Sequence, residues 1–384
     1  RNHNRSVVRA EGFSIWMEPT SGAELDEISQ HLAGFHQLGR ASFSDAANAI
    51  QKRKISILVD MNGHHLDARP QIIALRPAPI VVLLYGFPSS LFSSYVDFIA
   101  TDKPTSPPEL IHLYSEKLMV LPFSYWPASH VDNRAALMAP DALPGTTRDN
   151  ASVGRAKGPL FACFNQNLKV TAELFETWMN ILKRVPDSHL WFVKLGEGKF
   201  APPYLKAAAK RHGVKSNRLL FTESVKFEQH LLVKSVADIL LDTPVYNSHS
   251  TGIDAMFVGV PMVTLPANRM AARVGASLTM GHGVGNVLLA RNLADYEDLV
   301  VRLATHPTRL AALRQKILDN RQRPGHLFDV AGWTRRWETG LRLAYELRAV
   351  RKKKWASLPH THLTSLCMCI CSSAHLVRSG PSHC

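Results

Sequence analysis

The sequence predicts an α/β protein of two doubly wound lobes facing each other across a cleft, with a helical C-terminal end. Three observations predict this. Short apolar runs alternate with longer amphipathic ones, the pattern of parallel strand–helix–strand units. A stretch rich in Pro, Gly, Asp, Thr and Arg, Ala139–Pro159, interrupts that series without periodicity and reads as a connection. The 384 residues also exceed what a single hydrophobic core organises. The expected divisions are an N-terminal lobe over 1–138, a linker over 139–158, a second lobe over 159–350 and a disordered tail over 351–384.

In the first lobe, Ser44–Arg53 carries Ala46, Ala47 and Ile50 as its apolar positions and reads as a helix leading into a strand at Ile55–Val59. Strands at Ile80–Leu84, Phe98–Thr101 and Leu118–Leu121 follow. The second lobe opens with a strand at Pro159–Phe164 and a helix at Ala172–Val185, whose Leu174, Phe175, Trp178, Ile181 and Leu182 share one face. The series continues with strands at Leu190–Leu195, Arg218–Thr222, Ala237–Leu241 and Pro261–Leu265. Helices at Tyr204–His212 and Glu228–Val236, and one starting at Ser250, alternate with them. Asp295–His306, Thr308–Asn320 and Val330–Ala349 form the helical end. Two Rossmann-like lobes of this kind hold ligands at the carboxyl ends of their strands.

Composition narrows the function classes. Hydrophobic residues make up 46% and charged residues 20%, as in an ordinary globular protein. No apolar run approaches the roughly 20 residues that span a bilayer. Arg1–Arg5 is charged but has no apolar block after it, so no signal peptide is expected, and the missing initiator Met reads as processing or a fragment. Net charge is +14, yet the one dense run is Arg351–Lys354 and no nucleic-acid motif accompanies it. A surface for anionic substrates, or a solvated surface, is expected in place of a nucleic-acid partner. Cys163 is the one cysteine of the body, which suits a reducing compartment. The spacing of Cys367, Cys369 and Cys371 is not that of a zinc site, and the tail reads as non-native sequence.

Chemistry concentrates in the run Leu241-Asp242-Thr243-Pro244-Val245-Tyr246-Asn247-Ser248-His249-Ser250-Thr251-Gly252-Ile253-Asp254. It passes from a buried strand through a polar loop into a helix. Ser250 and Thr251 fall in the first helical turn, where free N–H groups and the positive dipole end make a phosphate site. Asp254 lies one turn on, placed to accept hydrogen bonds from ribose hydroxyls. The plainer alternative keeps Ser250 or Thr251 as a cap and Asp254 as a dipole-offsetting charge, and this run alone favours it. A second terminus shifts the balance. Phe161–Lys169 again runs from strand to polar turn, so that Gln166 and Lys169 project from a strand's carboxyl end. A lysine there neutralises a departing diphosphate; an ordinary surface lysine is the alternative. His230, early in a helix at the same strand ends, offers a ring face to a base, with a surface or capping role as the alternative. In the first lobe, Gly63 beside His64 and Gly86 between Tyr85 and Pro88 permit close approach of backbone to a ligand. Tight turns account for them equally well.

Together these segments resemble the catalytic region of the O-linked N-acetylglucosamine transferase family, nucleocytoplasmic enzymes with a GT-B fold. The resemblance runs from about Ile28 to about Glu346. Its most specific parts are Asn62-Gly63-His64, Ala74-Leu75-Arg76-Pro77-Ala78-Pro79, Tyr114-Ser115-Glu116-Lys117-Leu118 and Phe164-Asn165-Gln166. Ile181–Pro186, the Leu241–Asp254 run and Gly259–Thr264 complete it. It implies inverting transfer of N-acetylglucosamine from UDP-N-acetylglucosamine to Ser/Thr hydroxyls of intracellular proteins, in cytoplasm and/or nucleus, with no metal or other cofactor. It implies that Gln166 and Lys169 meet the diphosphate, His230 stacks on uracil and Asp254 holds the ribose. His249, Ser250 and Thr251 would hold pyrophosphate and sugar, and Tyr85, Gly86 and Pro88 would line the sugar pocket. Lys169 is then the expected catalytic residue. His64 takes a supporting role, because the family's catalytic histidine would precede Arg1. SPINDLY relatives, which transfer fucose from GDP-fucose, usually lack the His and Asp matching His249 and Asp254.

This sequence departs from the family at several points. Phe227 and Val233 replace basic residues, with Lys226 and Lys234 one position away, and Ser89-Ser90-Leu91-Phe92 replaces a small Gly-containing loop. The opening strand and the tetratricopeptide repeats would also precede Arg1, so an exposed sheet edge is expected. Two rival readings follow: a non-catalytic UDP-binding or scaffold remnant, and a SPINDLY-type protein O-fucosyltransferase.

Overall fold

The computed structural model describes residues 2–17, 22–133, 147–194, 200–353 and 366–368. The chain forms two compact units, one of Arg1–Trp126 with Val330–Lys353 and Leu366–Met368, the other of Pro127–Asp329. Among the described residues no helix is long and apolar enough to cross a membrane.

The first unit contains β1 (Ala10–Ser14), α1 (Ala23–Ser29), β2 (Gly34–Gln37), α2 (Phe43–Lys52), β3 (Ile57–Asp60), α3 (Pro70–Ala74), β4 (Ile80–Leu83), β5 (Phe98–Asp102) and β6 (Lys117–Leu121). Strands β3 and β4 are buried at every position, as expected of the middle of a parallel sheet covered on both faces. Helix α2 is capped by Ser42, which accepts from the Asp45 amide, and buries Ala46, Ala47 and Ile50. Strands β1 and β2 were not expected. All five residues of β1 are buried, but Glu11 and Gly12 break its apolar run. The fully buried Glu11 carboxylate accepts from Arg53 Nε and Nη2 at 2.7 and 3.0 Å and lies 3.2 Å from His36 Nε2. Burial raises its pKa, but the hydrogen bonds from Arg53 and His36 outweigh that and hold it below the usual value.

The second unit contains α4 (His130–Asn133), β7 (Leu160–Cys163), α5 (Ala172–Arg184), β8 (His189–Lys194), α6 (Ala201–Arg211), β9 (Leu219–Glu223), α7 (Phe227–Lys234), β10 (Ile239–Leu241), α8 (Ser250–Phe257), β11 (Met262–Val263), α9 (Val274–Gly281), α10 (Gly285–Leu288), α11 (Leu293–Ala304) and α12 (Pro307–Asn320). Its parallel five-stranded sheet has the order β11-β10-β7-β8-β9. The order reverses direction at β7, so the loops after β7 and β10 flank a topological switch point.

Three differences from the expected divisions have physical causes. Helix α13 (Val330–Lys353) was placed with the second lobe, yet it belongs to the first unit. Its Trp337, Leu341 and Ala344 are buried, and Gly340 lies so close to Met119 of β6 that a Cβ would meet its sulfur at 2.9 Å. The first unit also ends at Trp126, so His130 joins the second. Of the expected linker, 139–146 lies outside the described residues, while Arg148 ties the remainder to the second unit through Asp238 Oδ2 and the carbonyls of Ala156 and Gly158. Finally, the tail expected to be disordered supplies β12 (Leu366–Met368), parallel to β1 on one side and β3 on the other. The first sheet is therefore continuous in the order β2-β1-β12-β3-β4-β5-β6, with β2 and β6 at its edges. An apolar triplet there has ladder partners on both sides, which solvent would not offer it. The rest of the tail beyond Lys353 lies outside the described residues.

Candidate active site

In the second unit the site is organised by Asp242, a fully buried carboxylate at the carboxyl end of β10. Oδ1 accepts from the Ser248 amide and Oδ2 from Thr264 Oγ1, both at 2.6 Å. Asn165, at the end of β7, donates from Nδ2 to Thr243 Oγ1 at 2.7 Å and to Ser248 Oγ at 2.9 Å. Asn247 donates to the Thr243 carbonyl and accepts from the Gly275 amide. The polar residues of this loop thus satisfy one another, as buried polar groups must, and they fix where α8 begins.

Helix α8 starts at Ser250 as expected, but its cap position is His249 and no side chain caps it. The reading of Ser250 or Thr251 as a mere cap therefore fails. The first-turn N–H groups and both hydroxyls remain as donors at the positive end of the helix dipole. The His249 ring lies tilted against Tyr246 at 4.8 Å, and burial, aided by the Lys169 charge, pushes its pKa down to about 3. It is a neutral imidazole at physiological pH.

Lys169 ends a 3-10 turn (Asn167–Lys169) after β7 and reaches into the same loop. Its Nζ lies 3.5 Å from the Asn247 carbonyl and 4.1 Å from the centre of the Tyr246 ring. Burial lowers its pKa, against the pull of Asp242 and Cys163. Among the described residues no carboxylate lies within ion-pair distance of it. A partly buried ammonium satisfied by one carbonyl and an aromatic face is suited to an arriving anion. Gln166, expected beside it, is exposed on the preceding turn.

Asp254 is held by protein donors on both of its oxygens. Oδ2 accepts from Lys234 Nζ at 2.6 Å and lies 3.2 Å from His230 Nε2, while Oδ1 lies 2.7 Å from His130 Nε2. Burial opposes its charge, but Lys234 and the two imidazoles hold its carboxyl well below the usual range. His230 is therefore in the site, joined to Asp254 edge-on. Of the two lysines flanking the departures in α7, Lys234 enters the site and Lys226 is exposed at the cap of α7.

In the first unit the loops after β3 and β4 interlock. Gly63 has φ 56° and leaves no room for a Cβ against Phe87; a Cβ on Gly86 would run into the Met61 carbonyl. Tyr85, at φ 79°, rests on Trp126 at 4.4 Å, Pro88 is buried, and the exposed His64 meets Phe87 edge-on at 5.3 Å. The buried Asp60 carboxylate accepts from the amides of Asn62 and Gly63 and shapes the turn before His64. The Ser89–Phe92 replacement is held by Glu116, which accepts from Ser90 Oγ at 2.6 Å and from the Leu91 amide at 2.8 Å. Phe92 sits exposed at φ 50°, an unusual conformation for a bulky residue.

The model of glycosyl transferase family 41 matches residues 2–140 and 138–336. The chain belongs to glycosyl transferase family 41. The probable UDP-N-acetylglucosamine–peptide N-acetylglucosaminyltransferase SEC of Arabidopsis thaliana is 37% identical over 340 residues, 88% of this chain and 34% of that protein. The UDP-N-acetylglucosamine–peptide N-acetylglucosaminyltransferase of Caenorhabditis elegans is 26% identical over 434 residues, 85% of this chain and 37% of that one. The chain thus spans about a third of the length of these curated relatives. An O-GlcNAc transferase mutant from Thermobaculum terrenum superposes with a TM-score of 0.80 at 24% identity, covering 91% of this chain and 64% of that one. An Anabaena protein in complex with UDP and glucose gives 0.56 at 13% identity, covering 89% and 100%. The shared architecture is the GT-B fold.

Within this family 41 chain, sequence reasoning missed His130, Asp242 and Glu116 as site-shaping residues. Asp242 had a visible signal, an acid closing an apolar strand at the start of the polar loop. Glu116 lay inside a segment already marked by the resemblance. His130 had no local signal, because its partner lies 124 residues away.

Proposed function

We propose that this family 41 chain transfers N-acetylglucosamine from UDP-N-acetylglucosamine to Ser/Thr hydroxyls of proteins, with inversion and without a resident metal. The observation that carries this reading is the convergence of the Lys169 ammonium and the uncapped start of α8 on one loop. The charge that develops on a departing UDP meets a preorganised cation and a set of N–H donors. Lys169 stabilises the leaving diphosphate. Ser250 and Thr251 donate to it, and His249 adds a neutral imidazole. Asp254 takes the ribose, His230 lies beside the base, and Gln166 closes the diphosphate side. Tyr85, Gly86 and Pro88 line the sugar pocket, with His64 assisting. The names of the Arabidopsis and Caenorhabditis relatives support the same donor and acceptor. The acceptors are proteins of the cytoplasm and/or nucleus, and nucleic acid is not a partner.

Purified protein incubated with labelled UDP-N-acetylglucosamine and a Ser/Thr-rich acceptor peptide tests the reading. Peptide labelling in the presence of EDTA is the expected result. Labelling only after Mn²⁺ or Mg²⁺ is added would sink the metal-free reading. Labelling from GDP-fucose alone would transfer the chain to the SPINDLY activity, and UDP binding without transfer would leave it a binding module.

A further inference from the structure

Asp254 is held by three donors, and only the two from α7 adjoin the expected base site. The third, His130 on α4, lies 2.7 Å from Oδ1, while Lys234 and His230 share Oδ2. His130 itself packs against Phe257 at 5.2 Å and Phe328 at 5.8 Å, two rings that lie 5.5 Å from each other, with 20% of its side chain exposed. Its ring therefore has little freedom to turn. An aspartate on a helix can still rotate about its last torsion, which is broad and two-fold and exchanges the two oxygens. A hydrogen bond to Oδ1 from a ring locked by packing removes that freedom. A ribose presents two vicinal hydroxyls and needs acceptor lone pairs in a defined plane, so the orientation of the carboxylate sets how well it is held.

We infer that His130 is a positioning residue for the ribose of the nucleotide, fixing the plane of the Asp254 carboxylate through Nε2–H and Oδ1. This rests on the proposed reading of Asp254 as the ribose acceptor. The role needs no titration, because Nε2 donates in the imidazolium and in one neutral tautomer alike. His130 touches neither diphosphate nor sugar in this assignment and acts through Asp254. Its loss is therefore felt by ligands that carry ribose hydroxyls and by no others.

Calorimetric titration with UDP and with 2′,3′-dideoxy-UDP tests this on the wild type and on His130→Phe, which keeps a ring against Phe257 and Phe328 but has no donor. His130→Phe should weaken UDP binding about tenfold, the scale of one hydrogen bond to a charged group, and leave the dideoxy ligand within about twofold. His130→Gln, which restores an N–H donor, should recover much of the lost UDP affinity. In turnover, KM for the sugar nucleotide should rise while kcat stays nearly unchanged. His130→Leu carries the same expectation should the phenylalanine variant melt below the assay temperature. Equal weakening for both ligands would overturn the inference, as would no weakening for either. A wild type that binds neither UDP nor its dideoxy analogue would overturn the proposed function itself, and the inference with it.

Discussion

Lys169 and Asp254 follow neighbouring strands of one sheet, β7 and β10, yet their surroundings assign them different kinetic signatures. Lys169 has a carbonyl and an aromatic face as partners, and in the proposed reaction its charge is most needed when UDP departs. Lys169→Ala should lower kcat by about a hundredfold or more, the range for one preorganised charge stabiliser, and leave the melting temperature unchanged. Single-turnover kinetics and a thermal melt check both parts. Asp254→Asn, which keeps the shape and removes the charge, should chiefly raise KM for the sugar nucleotide, by a factor worth about 1–3 kcal/mol. Asp254→Ala differs, because it also affects stability. Removing the carboxylate strands the Lys234 ammonium, only 14% exposed, beside two imidazoles. Asp254→Ala should therefore melt below Asp254→Asn; equal melting temperatures would show that Lys234 finds water or another partner.

Elements built from local apolar periodicity were legible, whereas elements whose burial depends on distant partners were not. Helix α5 presents Leu174, Phe175, Trp178, Ile181 and Leu182 on its buried face, and both of its ends were readable within a residue. Strand β1 escaped notice because its central Glu11 is tolerable only once Arg53, 42 residues later, supplies a fork of hydrogen bonds. The loops after β3 and β4 lie between these cases. Gly63 and Gly86 marked them in the sequence, but nothing local showed that each glycine faces the other loop. Because a Cβ at residue 86 collides with backbone, Gly86→Ala should displace the loop carrying Tyr85 and Pro88 and lower both stability and activity, as overpacking usually does by about 1–3 kcal/mol. Chemical denaturation checks this. An alanine variant as stable and active as the wild type would mean that the loop yields freely.

Across the whole molecule, the two compact units make separate predictions. Trp337 of α13 is 3% exposed, and α13 packs on β6 of the first unit. Trp337→Ala should cost about 3–5 kcal/mol, with faster amide exchange in Lys117–Leu121. Faster exchange confined to β7–β11 would return α13 to the second unit. In the second unit His282 is fully buried, its Nε2 donating to the Ile317 carbonyl at 2.8 Å, and burial pushes its pKa down to about 4. The unfolded chain takes up a proton at this position near pH 6.5, whereas the folded chain refuses it until about pH 4. Stability is accordingly intact above that window and lost as pH falls through it, by about 2 kcal/mol at pH 5 from this residue alone. His249, held neutral to about pH 3, acts in the same direction. Urea unfolding at pH 7 and pH 5 measures the loss, and His282→Gln should flatten it.

By itself the sequence determined the α/β class, the switch-point loops and the polar residues gathered at them. Each of these is written in short windows: a two- or 3.6-residue period, a polar turn after an apolar run, a glycine where backbone must come close. Only the tertiary structure decided that His130 and Lys234 share the Asp254 carboxylate, that Asp242 sets the start of α8, and that α13 and β12 complete the first unit. Those outcomes depend on pairings between residues far apart in the chain. A buried charge or an open ladder must find a partner somewhere, and no local pattern states where.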